Sequence, residues 1–207
     1  MKVGLRKRFF AWMLKKSDTI NHQLYGSYKR NLFKDINGLV VEIGPGTGVN
    51  FDYLPQNIRW LGIEPNELFY ETLQTKAKEK GIDAKLLPGD ASKIPLPDDS
   101  VDVLICTLVL CSVKDPAATV AELKRVLKPG GKLIFIEHVA APGRSVLCYT
   151  QNLFNPLNRL IADGCNCNRE TWSFIENAGF KEVNLSHQKM KGSFKLVAPH
   201  IMGYAIK

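Results

Sequence analysis

The chain has 207 residues, 45% of them hydrophobic and 23% charged, enough for one domain with a full core and unlike a disordered chain or a repeat array. Its formal net charge of +8 is local: much of it lies in Lys2, Arg6, Lys7, Arg8, Lys15, Lys16, Lys29, Arg30 and Lys34, and no recognised nucleic-acid module accompanies it, so no nucleic-acid partner is expected. Five cysteines at irregular spacing argue against a disulfide framework and fit a reducing, cytoplasmic compartment.

The first 37 residues read as a basic amphipathic helical segment. Val3, Leu5, Phe9, Phe10, Trp12, Met13 and Leu14 are interleaved with the basic residues, a mixture that suits either an anionic membrane surface, with peripheral contact through residues 1–16, or a helix that packs its aromatics on the domain. The apolar run 9–14 is too short to cross a bilayer, and no small-residue cleavage site follows it, so neither a membrane span nor secretion is expected.

From residue 38 onward short β-rich runs alternate with helical ones, which predicts an α/β domain with a mainly parallel sheet. Strands are expected at 39–43, 59–63, 84–87, 101–107, 132–137, 182–187 and 200–206. Several are almost wholly apolar, as strands covered on both faces must be. Helices are expected at 67–80, at 115–127 with Asp115 as N-cap and Pro116 at the first position, and at 169–178. Residues 142–168 mix aromatics, Asn and Pro with an apolar run and read as a helical insert with loops. Such a segment either covers a substrate crevice or simply packs.

The strongest local signal is Val40-Val41-Glu42-Ile43-Gly44-Pro45-Gly46-Thr47-Gly48, a strand that runs into a glycine turn where backbone can approach a ligand. The dinucleotide fingerprint would place a glycine at Val49, and no Walker lysine follows, so the spacing disfavours both nucleotide classes. Glu64, at the end of the second strand, is a carboxylate able to accept from both hydroxyls of a ribose. Pro88-Gly89-Asp90-Ala91 follows the third strand and could place a carboxylate beside an adenine.

In this order the motifs resemble the class I S-adenosylmethionine-dependent methyltransferases, with their Rossmann-like, seven-stranded, mostly parallel sheet, antiparallel last strand and helices on both faces. The resemblance covers residues 38–207, the expected catalytic domain. It implies S-adenosylmethionine as cofactor, with Glu42, Gly44, Gly46 and Gly48 beside its methionine moiety, Glu64 on the ribose, and Asp90 with Ala91 flanking the adenine.

A narrower resemblance rests on Cys106-Thr107-Leu108-Val109-Leu110-Cys111-Ser112-Val113, Glu137-His138-Val139-Ala140, Asp163-Gly164-Cys165, Arg169-Glu170-Thr171-Trp172 and Pro199-His200-Ile201-Met202-Gly203. These are similar to the methyltransferase-like-seven group of microsomal alkyl thiol S-methyltransferases, and imply a small-molecule thiol as acceptor. Members of that group carry a long hydrophobic N-terminal anchor, where this chain has a short basic-aromatic segment. Methylation of a quinone or phospholipid at a membrane surface therefore stands as an alternative, and a non-catalytic cofactor-binding module as another.

Methyl transfer is an in-line displacement in which positioning dominates, so a thiol acceptor needs only modest help to become a thiolate. His138, just past the fifth strand, is the first candidate to orient the thiol or take its proton; His200 and Asp163 are further candidates. Cys111 is expected in the pocket or core, without a covalent role. Cys165 and Cys167 lack a Cys/His cluster at finger-like spacing, so no metal site is expected.

Overall fold

The computed structural model describes residues 4–207; Lys2 and Val3 of the basic-aromatic start, and the side chain of Arg6, lie outside what is described. Seven strands, β1 (Leu39–Ile43), β2 (Arg59–Ile63), β3 (Asp83–Leu87), β4 (Val101–Thr107), β5 (Leu127–His138), β6 (Glu182–Lys189) and β7 (Pro199–Ile206), form one sheet in the order β3-β2-β1-β4-β5-β7-β6. Every pairing is parallel except those of β7, which runs antiparallel to both β5 and β6.

Strand residues alternate between two cores. Val41, Ile43, Leu104, Cys106, Leu133 and Phe135 face one cluster, while Val40, Val103, Ile105 and Ile134 face the other. That is why β1 and β4 are nearly all apolar: successive side chains point to opposite faces, and both faces are covered. Helices α3 (Pro116–Val126) and α5 (Thr171–Glu176) cover the first face through Val120, Leu123, Val126 and Ile175. Helices α1 (Leu5–Phe33) and α2 (Tyr70–Glu79) cover the second through Ala11, Phe33, Leu73 and Ala77.

Local chemistry sets most element ends. Asp115 caps α3, its side chain accepting from the Ala118 amide at 3.0 Å, and Pro116 takes the first helical position. Several boundaries differ from the sequence expectation, most of them by one or two residues, and three of the differences have a local cause. The helix expected at 67–80 divides into a 3-10 turn, Glu67–Phe69, and α2, because the Asn66 side chain accepts from Leu68 N and caps the turn. The expected helix 169–178 narrows to α5, since Arg169 is spent outside the helix, donating to the carbonyls of Leu110 and Val113 at 2.6 and 2.8 Å. Finally, β5 begins at Leu127 rather than at 132, and takes in Pro129-Gly130-Gly131 in a strand whose register to β4 shifts between Val101 and Val103.

The insert at 142–168 contains α4 (Val146–Ile161), capped by Ser145, which accepts from Cys148 N at 3.2 Å. This helix is held inward by polar bonds. Gln151, its one buried residue, donates to the carbonyls of Val139, Cys167 and Leu196 and accepts from Ala141 N at 2.7 Å. Among the described residues no helix is long and apolar enough to cross a membrane.

The pairs Ile43↔Ile63 and Ile43↔Cys106 bring the carboxyl ends of β2, β1 and β4 level. Strand order reverses between β1 and β4, which opens a crevice at that point of an α/β sheet.

Candidate active site

A cavity of about 860 Å³ occupies this crevice. The glycine turn, the end of β2 and the loops after β3 and β4 form its base, α1 lies over it, and Asn158, Ala162 and Asp163 close the far side.

One end is built mainly from backbone. Gly44 N donates to Ile63 O at 2.9 Å, which turns the chain sharply after β1. Gly46 stands at φ +56°, so a side chain there would be strained, and a Cβ would meet Leu14 of α1 at 3.7 Å. The Gly46 amide donates to one oxygen of Glu64 at 3.0 Å, and Asn66 N donates to the other at 2.8 Å. Burial raises the Glu64 pKa, and these two bonds oppose that. A carboxylate with about four acceptor sites thus has capacity left for two ligand hydroxyls.

Two buried polar atoms beside it have no protein partner: Nδ2 of Asn66, a donor, and Oδ1 of Asn50, an acceptor, both on residues of the cavity wall. Buried polar groups are normally paired, so both amides keep unused hydrogen-bonding capacity at the cavity wall, as does Thr171 Oγ1 away from it. Asp90 and Ala91 also line the cavity. Asp90 accepts from the Ser92 amide at 2.8 Å and from the Ser92 hydroxyl, which holds it below the usual carboxylate range.

Glu42 is not on the wall. Its carboxylate accepts from Asn50 Nδ2 at 2.8 Å and Trp60 Nε1 at 2.9 Å, and burial pushes its pKa up to about 7. From there it can act on a ligand only by holding Asn50. Gly48 is likewise behind the wall, in the left-handed conformation with φ +73° that starts the following 3-10 turn.

Helix α1 is tied to this end. Asp18 accepts from Thr47 Oγ1 of the glycine turn at 2.6 Å and from Lys76 Nζ at 3.1 Å, and Lys7 Nζ donates to Pro65 O at 3.2 Å. Deeper along α1, Lys29 is buried, and burial lowers its pKa to about 8. It donates to Asn21 Oδ1 on the same helix at 2.6 Å. Nothing in local sequence marks Asp18, whose partners are distant in the chain.

The other end is built from side chains. His138, at the end of β5, lies between two thiols: Cys165 Sγ is 3.6 Å from both ring nitrogens and Cys111 Sγ is 3.9 Å from Nε2. All three residues line the cavity. Burial acts to lower the His138 pKa, but Cys165 and the Glu137 carboxylate outweigh it and the net shift is upward. The neighbouring Cys111 and burial both push the Cys165 thiol up.

His200, paired with His138 across β5 and β7, stands behind it rather than in the cavity. Its Nδ1 donates to Ala198 O at 3.0 Å, so Nε2 accepts from the Tyr25 hydroxyl at 2.8 Å. Burial lowers its pKa to about 4, which keeps it neutral at physiological pH. Asp163 does line the cavity, in a left-handed conformation with φ +44°, and its charge acts on Glu64.

The fold, with its glycine turn and acidic β2 end, defines a class I S-adenosylmethionine-dependent methyltransferase. A family model described as a methyltransferase domain matches residues 41–135. The chain is 38% identical to the human thiol S-methyltransferase TMT1B, over 98% of this chain and 88% of that one, and 36% identical to human TMT1A, over 97% and 87%. The YcgJ protein of Bacillus subtilis superposes with a TM-score of 0.71 at 18% identity, over 90% of this chain and 98% of that one, a likeness of fold alone. The chain belongs to the thiol S-methyltransferase family of S-adenosylmethionine-dependent methyltransferases. Its methyl donor is S-adenosylmethionine, and the unpartnered Asn66 and Asn50 atoms beside Glu64 suit a ribosyl amino acid of that kind.

Proposed function

We propose that this enzyme transfers the methyl group to a small apolar thiol, with the donor held at the Glu64 end of the cavity and the acceptor sulfur at the His138 end. The observation that carries this reading is the polarity of the cavity. One end offers backbone amides, a carboxylate and two unpaired amide atoms; the other offers one imidazole between two thiols. The near full-length relation to thiol S-methyltransferases supports the same acceptor class.

Residues 38–207 form the catalytic domain in this reading, and α1 (Leu5–Phe33) covers it. Glu64 accepts from the ribose hydroxyls, Asn66 donates nearby, Gly44 and Gly46 border the methionine end, and Asp90 with Ala91 flanks the adenine. Glu42 and Gly48 shape the turn from behind. Bound S-adenosylmethionine supplies a methyl group on a sulfonium centre, and α1 excludes water from above. His138 positions the acceptor sulfur, His200 and Tyr25 fix the His138 side of the pocket, and Asp163 borders the donor.

The same reading gives the apolar acceptor a route from a membrane surface. Val146, Tyr149, Leu153, Leu157 and Leu160 lie along the outer side of α4, with Leu153 74% exposed, and Leu5, Phe9 and Trp12 are exposed on α1. Both helices contribute to the cavity wall, and α1 adds Lys7, Arg8, Lys15 and Lys16. Apolar residues flanked by cations suit peripheral docking on an anionic bilayer. Sedimentation with phosphatidylcholine vesicles, with and without phosphatidylserine, tests this. Binding should require the anionic lipid and fall several-fold in the Leu153→Glu, Leu157→Glu double variant; equal binding by that variant removes α4 from the docking face.

The deciding experiment for function is transfer of labelled methyl from S-adenosylmethionine to a panel of alkyl thiols, phenols and a lipid extract, with Glu64→Ala as control. Methylated thiol that disappears in the control is the expected result. Label only in quinones or phospholipids would overturn the acceptor assignment, and cofactor binding without any methylated product would point to a non-catalytic module.

A further inference from the structure

We propose that Cys111, His138 and Cys165 hold a zinc ion at the acceptor end of the cavity, with its fourth position open to the substrate's sulfur. The donor atoms of these three side chains lie within 4.8 Å of one another, the one such His/Cys/Asp/Glu cluster among the described residues. A tetrahedral zinc with Zn–S of about 2.3 Å and Zn–N of about 2.0 Å needs donor separations of roughly 3.5–3.8 Å. Cys165 Sγ is already 3.6 Å from His138 Nε2, and Cys111 Sγ is 3.9 Å from it. Because Cys165 Sγ is also 3.6 Å from Nδ1, binding requires the imidazole to turn Nε2 toward the ion as the two thiols close on it.

The supporting shell is rigid. The buried Glu137 carboxylate accepts from the amides of Val109 and Cys111, at 2.8 and 3.3 Å, and Arg169 holds the carbonyls of Leu110 and Val113, so the loop carrying Cys111 is fixed on both sides. Asn166 N and Nδ2 donate to Cys111 O at 2.9 and 3.1 Å, which ties the Cys165 segment directly to that loop. Asn158 Nδ2 donates to Cys165 O at 2.8 Å. Outer-shell bonds of this kind orient metal ligands. Sequence spacing hides the site, because the three ligands come from the loop after β4, the end of β5 and the loop after α4.

Two thiolates and one imidazole are a soft donor set that selects zinc over hard cations, and three protein ligands with a vacant fourth position are the pattern of a catalytic rather than a structural site. An alkyl thiol that binds there exchanges its S–H bond for an S–Zn bond and releases the proton to solvent, since coordination deprotonates a thiol. The sulfur keeps an electron pair. That pair forms the new S–C bond while the C–S bond of the sulfonium breaks and its electrons stay on the departing thioether, so charge and atoms balance without an oxidant or further base. In this arrangement His138 positions the acceptor by binding the metal.

The occupant of the fourth position rests on the thiol reading; zinc occupancy does not. The test uses the full chain purified without a histidine tag under reducing conditions, with zinc measured by mass spectrometry and the metal replaced by cobalt for absorption spectra. The expected result is one zinc per chain, a tetrahedral cobalt spectrum with thiolate charge transfer, and a change in that spectrum when an alkyl thiol is added. Cys111→Ser and Cys165→Ser should each weaken zinc binding at least tenfold while still binding S-adenosylmethionine, and Cys148→Ser should leave zinc unchanged. No zinc after loading, or zinc retained by both variants, overturns the site. Full thiol methylation by chelator-treated, metal-free protein overturns the zinc and leaves the thiol reading intact. Zinc bound through these residues, with methyl transferred only to oxygen or nitrogen acceptors, overturns the thiol as occupant.

Discussion

The two ends of the cavity are built by different means. The end read as the donor's is made largely of backbone at three neighbouring strand ends: the turn after β1, the amides of Gly46 and Asn66 that hold the Glu64 carboxylate, and the short segment after β3. The acceptor end is made of side chains from three separate elements, held by Glu137, Arg169 and Asn166. A backbone-built end should recognise one ligand and tolerate little change, because its geometry is the strand ends themselves. A side-chain-built end can be retuned residue by residue, which suits the half of a transferase that meets varied acceptors.

That division can be broken by substitution. The largest effect is expected from His138→Ala: the methyl-transfer rate to alkyl thiols should fall by about 10²-fold or more, while calorimetry finds S-adenosylmethionine affinity within about twofold of wild type. A large loss of cofactor affinity in that variant would show that the two ends are not independent. Next comes Glu42. Its folded pKa is raised, so between the ordinary value of 4.5 and about 7 the folded state keeps a proton that the unfolded state has lost. Stability therefore falls as pH rises through that window, by up to about 3 kcal/mol. In Glu42→Gln denaturant midpoints should lose this slope, because an amide has no proton to release in that range; an unchanged slope would assign it elsewhere.

At the donor end, Glu64→Ala should weaken S-adenosylmethionine binding by about 1.5–3 kcal/mol, ten- to hundredfold, by removing charge-assisted hydrogen bonds. Unchanged affinity would remove Glu64 from the site. The smallest effect belongs to the clasp: Asp18→Ala loses the bonds to Thr47 and Lys76, each worth about 1 kcal/mol. It should speed cofactor release a few-fold and make α1 more open to limited proteolysis. If release is unaffected, α1 covers the cavity without gating it.

The same contrast explains what could be read from the chain. The glycine turn, Glu64, Asp90 and the alternating strands were legible because each depends on neighbours a few residues away: a strand must be apolar on both faces, and a turn with φ > 0 asks for glycine. His138 was legible as a residue at a strand end, but not as the centre of a cluster with Cys111 and Cys165. Glu42 and His200 carry motif positions, yet the structure sets both behind the wall, because a side chain's face at a strand end depends on its partners. The amphipathic start was legible as a helix, whereas its seat over the glycine turn depends on Asp18 meeting Thr47, 29 positions away.

Taken alone, the sequence determined the α/β class, the seven strands, the mainly parallel sheet and the glycine turn, while the antiparallel last strand came with the family resemblance. The former follow from periodicity, capping and backbone sterics, which act over a few residues. Tertiary structure decided where α1 lies, why α4 turns its apolar side outward on a Gln151 clamp, and that two thiols flank one imidazole. Each of these needs side chains brought together by sheet order and loop closure, and a pairing across tens of residues leaves no periodic trace in the chain.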